Sequence, residues 1–330
     1  MKNLVPKTVS RIFLSLVLMG SAGWGGWFLG NFLIQTQGLS AKNKDKNPEK
    51  AIKVRTDSQK LTFPSLDDSE PAPGITLPEL ERQRKLALRQ RRLELGIDYE
   101  FYQELVNQIF WERYPARKEM ILSSESEDLV WRERWDEIAL SSLNRLTSLS
   151  YSHRRQLGKY TLAHRQRTYQ QVNQLRLSSR ALGDLVDAQF LVNFPESASR
   201  EYDLDQPMGQ IWQGIAAEQL SKLESGENLT EIVFSDERVL RRVSNTLEPG
   251  EGKAYTVYLE SGQLESVILN APHGVLFSVY SPTGAVDILE DSRQRFWSGE
   301  VRETGFYEVV VVSQAEKPVD YELRVEINNE

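Results

Sequence analysis

The 330-residue sequence contains no cysteine and three histidines. Without cysteine there are no disulfides, no thiolate nucleophile, and no zinc or iron–sulfur site built on sulfur. Histidine is nearly as scarce. His153 and His164 lie among arginines without a carboxylate at close helical spacing, and His273 sits beside Pro272 and Gly274 in a turn. The sequence also lacks a Gly-x-Ser-x-Gly elbow, a His-Glu-x-x-His helix and a Ser-x-x-Lys motif with its partners, so the familiar hydrolase routes have no foothold. On these grounds the chain is read as a non-enzyme. No catalytic, cofactor-binding or metal-ligating residue is assigned, and no cofactor is expected.

A hydrolase relying on acidic residues remains a weaker alternative, but its candidates have simpler explanations. Glu125, Glu127 and Asp128 read as acids of a first helical turn. Trp131, Trp135 and Trp212 fall at helical spacings that suit a core.

Charge is uneven. Residues 251–330 hold 14 acidic against 6 basic side chains, a net of −8, while the whole chain is at −7. A C-terminal part that acidic repels phosphate backbones, which excludes nucleic acid as its partner.

One long run without charge is present. Residues 12–34, "IFLSLVLMGSAGWGGWFLGNFLI", follow Lys2, Lys7 and Arg11. A span of about 20 apolar residues crosses a bilayer core, so residues 1–35 read as a signal-anchor helix and the membrane as a partner. Cleavage after Ala22 is the competing reading. The apolar run continues well past that site, which suits a retained anchor better. Both flanks are basic, with Lys42, Lys44, Lys46, Lys50, Lys53 and Arg55 following the span, so charge alone does not orient it. The expected arrangement is a single-pass protein with its body on the extracytoplasmic, periplasmic side.

Residues 36–75 are polar, contain proline and have no sustained period, as a tether would. Helical periodicity follows over 76–235. Thr76-Leu77-Pro78-Glu79 opens it as a capping box and Gly96 closes the first helix. The basic side chains Arg82, Arg84, Lys85, Arg89, Arg91 and Arg92 then read as a solvated face. Asp98 caps a second helix with the stripe Tyr102, Leu105, Val106, Ile109 and Phe110. A long helical stretch over 162–192 is expected to break near Leu177-Ser178, and another helix to stop at Gly226. This region is predicted to be an all-α bundle of five or six helices.

Three quoted stretches, "LELGIDYEFYQELVNQIFWERYP", "VNQLRLSSRALGDLVDAQFLVNFPE" and "MGQIWQGIAAEQL", resemble the helical region that follows the kinase domain in some cyanobacterial Ser/Thr protein kinases. The resemblance covers about 85–235 and implies a lineage and a setting. A Gly-rich phosphate loop, a His-Arg-Asp loop and an Asp-Phe-Gly motif are all missing, so kinase activity is not implied.

Beyond about residue 245 the period drops to two. Tyr255, Val257 and Leu259, then Val275, Phe277 and Val279, then Val319, Tyr321, Leu323, Val325 and Ile327 alternate with polar residues. Seven or eight short strands over 245–330 predict an antiparallel β-sandwich. In "TGFYEVVVV" the core face is left as either Phe306, Val310 and Val312 or Tyr307, Val309 and Val311. Turns at Gly262, Ser281-Pro282-Thr283-Gly284 and Trp297-Ser298-Gly299, with the closing Tyr321-Glu322-Leu323-Arg324-Val325, are similar to bacterial pre-peptidase C-terminal domains. That resemblance implies a jelly-roll-like, non-catalytic module able to bind calcium or a polymeric substrate. Asp287, Glu290 and Asp291 form its one tight acidic group, without the Asp-rich loop that calcium favours.

The expected protein is therefore an α + β multidomain chain: anchor, tether, helical bundle and sandwich. Its expected role is to bind an envelope polymer, a peptide or a membrane protein. The alternatives are a regulatory partner of a membrane Ser/Thr kinase and, less favoured, a hydrolase with an accessory β domain.

Overall fold

In the computed structural model, residues 79–197, 203–234 and 239–328 are described. The expected anchor, its orientation, the tether and most of the first capping box lie outside them. Among the described residues no helix is long and apolar enough to cross a membrane.

Helix α1 (Glu79–Leu95) ends where Gly96 adopts φ 71°. The Gly96 N–H donates to the Leu93 carbonyl and the Ile97 N–H to the Arg92 carbonyl, satisfying the last-turn acceptors of the helix. Asp98 then caps α2 (Tyr99–Arg113), its carboxylate accepting from the N–H groups of Glu100 at 2.9 Å and Phe101 at 3.2 Å. All five residues of the stripe read from sequence are buried. Helix α3 (Leu129–Arg145) and the single turn α4 (Tyr151–Arg154) follow. The stretch expected to break does so: α5 (Leu162–Gln174) and α6 (Ser179–Asn193) are separated by Arg176, which takes φ 63°. Helix α7 (Pro207–Glu224) completes the set, with Gly226 at φ 75° just beyond it.

Among the described residues nine strands follow: β1 (Leu229–Ile232), β2 (Leu240–Leu247), β3 (Gly252–Leu259), β4 (Leu264–Asn270), β5 (Val275–Tyr280), β6 (Asp287–Ser292), β7 (Phe296–Glu300), β8 (Gly305–Ser313) and β9 (Val319–Asn328). They form a five-stranded sheet, β1-β3-β8-β5-β6, and a four-stranded sheet, β2-β9-β4-β7. The pairings are antiparallel except β1 with β3, which is parallel. The first two strands begin before residue 245. The segment after Gly226, read from sequence as the tail of the helical region, already belongs to the sheet. Four residues are too short to show a period, which is why β1 was not visible in the sequence.

Between the sheets lie Tyr255, Val257, Val267, Phe277, Val309, Val311, Leu323 and Val325. The Tyr255 and Tyr321 hydroxyls hydrogen-bond to each other inside this core. The two choices left open for β8 are both realised in part. Tyr307, Val309 and Val311 face the other sheet, whereas Val310 and Val312 join the helical core with Ala254, Leu276 and Tyr280. A strand covered on both faces carries apolar residues in both phases. The unbroken buried run of β8 therefore records a helical layer on the outside of the sandwich. The helices and both sheets belong to one compact unit.

Candidate functional site

Helix α6 is the element that lies on the five-stranded sheet, and two glycines let it approach. A Cβ at Gly252 would sit 2.5 Å from Leu185 and 2.8 Å from Val312, and Gly250, at φ 75°, lies against the backbone of Ala188 and Gln189. Glu308 of β8 reaches the start of the helix. Its carboxylate accepts from the Ser178 N–H at 2.9 Å and the Ser178 hydroxyl at 2.7 Å, while the same hydroxyl accepts from the Ala181 N–H. Burial pushes the Glu308 carboxyl up, and the Ser178 bonds pull it back.

Deeper in this joint, the Tyr280 hydroxyl lies 3.0 and 2.9 Å from the two oxygens of Asp184. Both residues are buried. Burial, reinforced by the charges of Asp291 and Glu290, pushes Asp184 up to about 7 against the bonds from Ser278 and Tyr280. Next to it on α6, Asp187 accepts from the Trp212 indole at 2.7 Å.

A further raised carboxyl is inside the sandwich. Glu265 of β4 shares the inward phase of Val267 and Leu269 and is 1% exposed. Among the described residues no group hydrogen-bonds to either of its carboxylate oxygens. Burial alone pushes it up to about 8.

Raised carboxyls often mark general acids, but neither of these has the surroundings of one. Glu265 is enclosed by core side chains, and Asp184, on α6, is held by Tyr280 of β5. The histidines lie elsewhere. His153 sits 3.3 Å from the Tyr160 hydroxyl and 3.7 Å from Glu218, His164 completes the capping box with Thr161, and His273 is exposed in its turn. Asp128 accepts from the N–H and hydroxyl of Ser123, both at 2.8 Å, so it orders the chain before α3. Trp135 is buried with its indole on Asn107 at 2.8 Å, while Trp131 and Trp212 pack partly buried against the same core. Among the described residues no group of three or more His, Asp or Glu is placed to hold a metal ion. A crevice between α2 and α3, lined by Ile109, Arg113, Ile138 and Arg145, has room for roughly one water.

What the surface does offer is an aromatic platform at the end of the five-stranded sheet. Phe306 and Tyr258, paired across β8 and β3, meet edge to face with centroids 5.3 Å apart, and Tyr258 is 50% exposed. The Arg176 guanidinium covers the Phe306 ring at 4.2 Å and pairs with Glu231 of β1 at 3.4 Å. Exposed aromatic and arginine side chains are the residue types that anchor protein contacts. Sequence reading passed over this cluster. Its one signal is that Tyr258 and Phe306 occupy the phase that is polar in a sheet with a solvated face.

The fold and its chemistry thus define an α + β body without a catalytic constellation among the described residues. No family model matches the chain. Over 97% of its length it is 32% identical to the serine/threonine-protein kinase-like protein E of Synechocystis, and the match takes in 50% of that protein. The chain therefore spans about half the length of the curated relative it matches. The similarity to cyanobacterial kinase-associated sequence holds well beyond residues 85–235. Solved structures similar to about a third of the chain include two that follow. PliG of Aeromonas hydrophila, a periplasmic inhibitor of g-type lysozyme, is 19% identical over 31% of this chain and 96% of its own, with a TM-score of 0.28. The pre-peptidase C-terminal domain of a Bacillus anthracis collagenase is 12% identical over 30% and 93%, with a TM-score of 0.23.

Proposed function

We propose that the chain is a membrane-anchored, non-catalytic accessory protein whose body lies outside the cytoplasm and binds a membrane protein through the Tyr258–Phe306–Arg176 surface. The observation that carries this reading is the similarity, across nearly the whole chain, to a kinase-like protein of about twice the length, in a sequence without kinase motifs. The same observation favours a narrower version, in which the bound protein is a membrane Ser/Thr kinase. The uncharged run 12–34 supports the anchor.

Co-purification from detergent-solubilised membranes tests the proposal. The native full-length chain is expected to retain a membrane protein that the Tyr258→Ala, Arg176→Asn variant loses; asparagine tolerates the positive φ at position 176. Equal retention by both chains would overturn the assigned surface, and absence of any retained protein would overturn the binding role. Protease digestion of sealed spheroplasts tests orientation: an intact body would contradict the extracytoplasmic placement.

A further inference from the structure

Helix α6 is fastened to the five-stranded sheet at two levels. At its start Glu308 of β8 holds Ser178, just after Arg176, the guanidinium of the platform. Further along the helix Asp184 meets Tyr280 and Ser278 of β5, and all three are buried. The geometry of this second level calls for a proton. One phenol faces both oxygens of Asp184, at 3.0 and 2.9 Å, and its single hydrogen points well at only one of them. A protonated carboxyl makes both contacts into hydrogen bonds, giving its own O–H to the phenol and accepting the phenol's. The Ser278 oxygen accepts the Asp291 N–H at 3.0 Å, which leaves the Ser278 hydrogen for Asp184.

The charges around Asp184 disfavour an anion. Glu290 and Asp291 act on it from β6. Asp187 lies one turn along α6, bonded to the Trp212 indole of α7, with Arg165 and Tyr169 of α5 on its far side. The Arg180 guanidinium lies over the Tyr280 ring at 4.7 Å. The β6 side is also the compliant one: β6 is an edge strand, its pairing with β5 shifts register, and Asp291 takes φ 45° where it meets Ser278. Loss of the proton leaves a buried carboxylate beside Glu290 and Asp291, and lifting α6 from the sheet returns that charge to water. The lifted helix releases the proton near 3.8 and the seated helix holds it to about 7, so seating weakens as pH rises between those values.

We propose that this contact is a proton-dependent latch: it seats α6 on the sheet while Asp184 carries its proton and loosens when the proton leaves, releasing the Ser178 cap and the Arg176 side of the platform. The consequence for binding rests on the platform reading above; the latch is tested without a partner. Amide exchange of the full-length chain in detergent, corrected for the chemical rate at each pH, gives the opening constant of residues 182–188 at pH 5, 6, 7 and 8. Glu265→Gln is the background throughout and removes the response of the sandwich core. The constant is expected to rise by up to about tenfold per unit from pH 5 to 7, level off above, and outrun residues 138–143 of α3. Asp184→Asn should abolish the rise. Tyr280→Phe removes a bond that favours the carboxylate and should move the rise to higher pH. A constant that ignores pH, an equal rise in Asp184→Asn, a rise shared in full by α3, or a rise left in place by Tyr280→Phe would overturn the latch. A responding latch in a chain that retains no membrane protein would refute the platform reading and leave the latch standing.

Discussion

Glu265 makes the sandwich core sensitive to pH in a direction that can be worked out beforehand. Its carboxyl goes from an ordinary value of 4.5 to about 8 on folding because of burial alone. Between those values the native state holds a proton that the unfolded chain has released, so stability falls as pH rises through that window. At about 1.4 kcal/mol per unit, the full excursion is worth about 5 kcal/mol as an upper figure. Glu265→Gln removes the ionisation and keeps the shape. Its buried amide still lacks partners, a cost of about 1–3 kcal/mol that does not change with pH. Urea unfolding followed by tryptophan fluorescence at pH 5, 7 and 9 should therefore show a midpoint that declines with pH in the native chain. The decline should be much shallower in Glu265→Gln, which becomes the more stable of the two at pH 9. A variant whose midpoint falls as steeply as the native protein's would refute the reasoning.

Three further outcomes follow from the joint and the helical body. Asp184→Asn should remove a second part of the same decline, because Asp184 goes from 3.8 to about 7 with the same sign, and a double variant with Glu265→Gln should decline less steeply than either single variant. Gly252→Ala drives a Cβ to 2.5 Å from Leu185 and should cost about 1–3 kcal/mol, seen as a lowered melting temperature. Glu81→Ala leaves Arg132 buried without its carboxylate and should cost about 3–5 kcal/mol by urea titration, far more than Glu79→Ala on the exposed pair with Arg82.

Local signals were the legible part of this sequence. Asp98, Gly96, the break before Ser178 and the stripe of α2 are set by capping and by the 3.6-residue period, both written within a few neighbouring residues. The sandwich was legible for the same reason, since Tyr321 to Ile327 and Tyr255 with Val257 and Leu259 alternate cleanly. What could not be read depends on distant parts of the chain. Nothing near Gly252 announces that Leu185 needs its space, and the double burial of β8 depends on α6, more than a hundred residues earlier. The Tyr258–Phe306 platform arises only once β3 and β8 are in register. Glu265 was hidden because a lone acid in a strand usually faces water, whereas its phase with Val267 and Leu269 turns it inward.

The most direct measurement of the binding role is amide hydrogen exchange on the full-length chain in membranes, compared with and without the co-purified protein. Protection gained at the start of β8, at the end of β3 and around Arg176, with the interior of α6 unchanged, is the predicted result. Protection confined to other surfaces, or none at all, would contradict it.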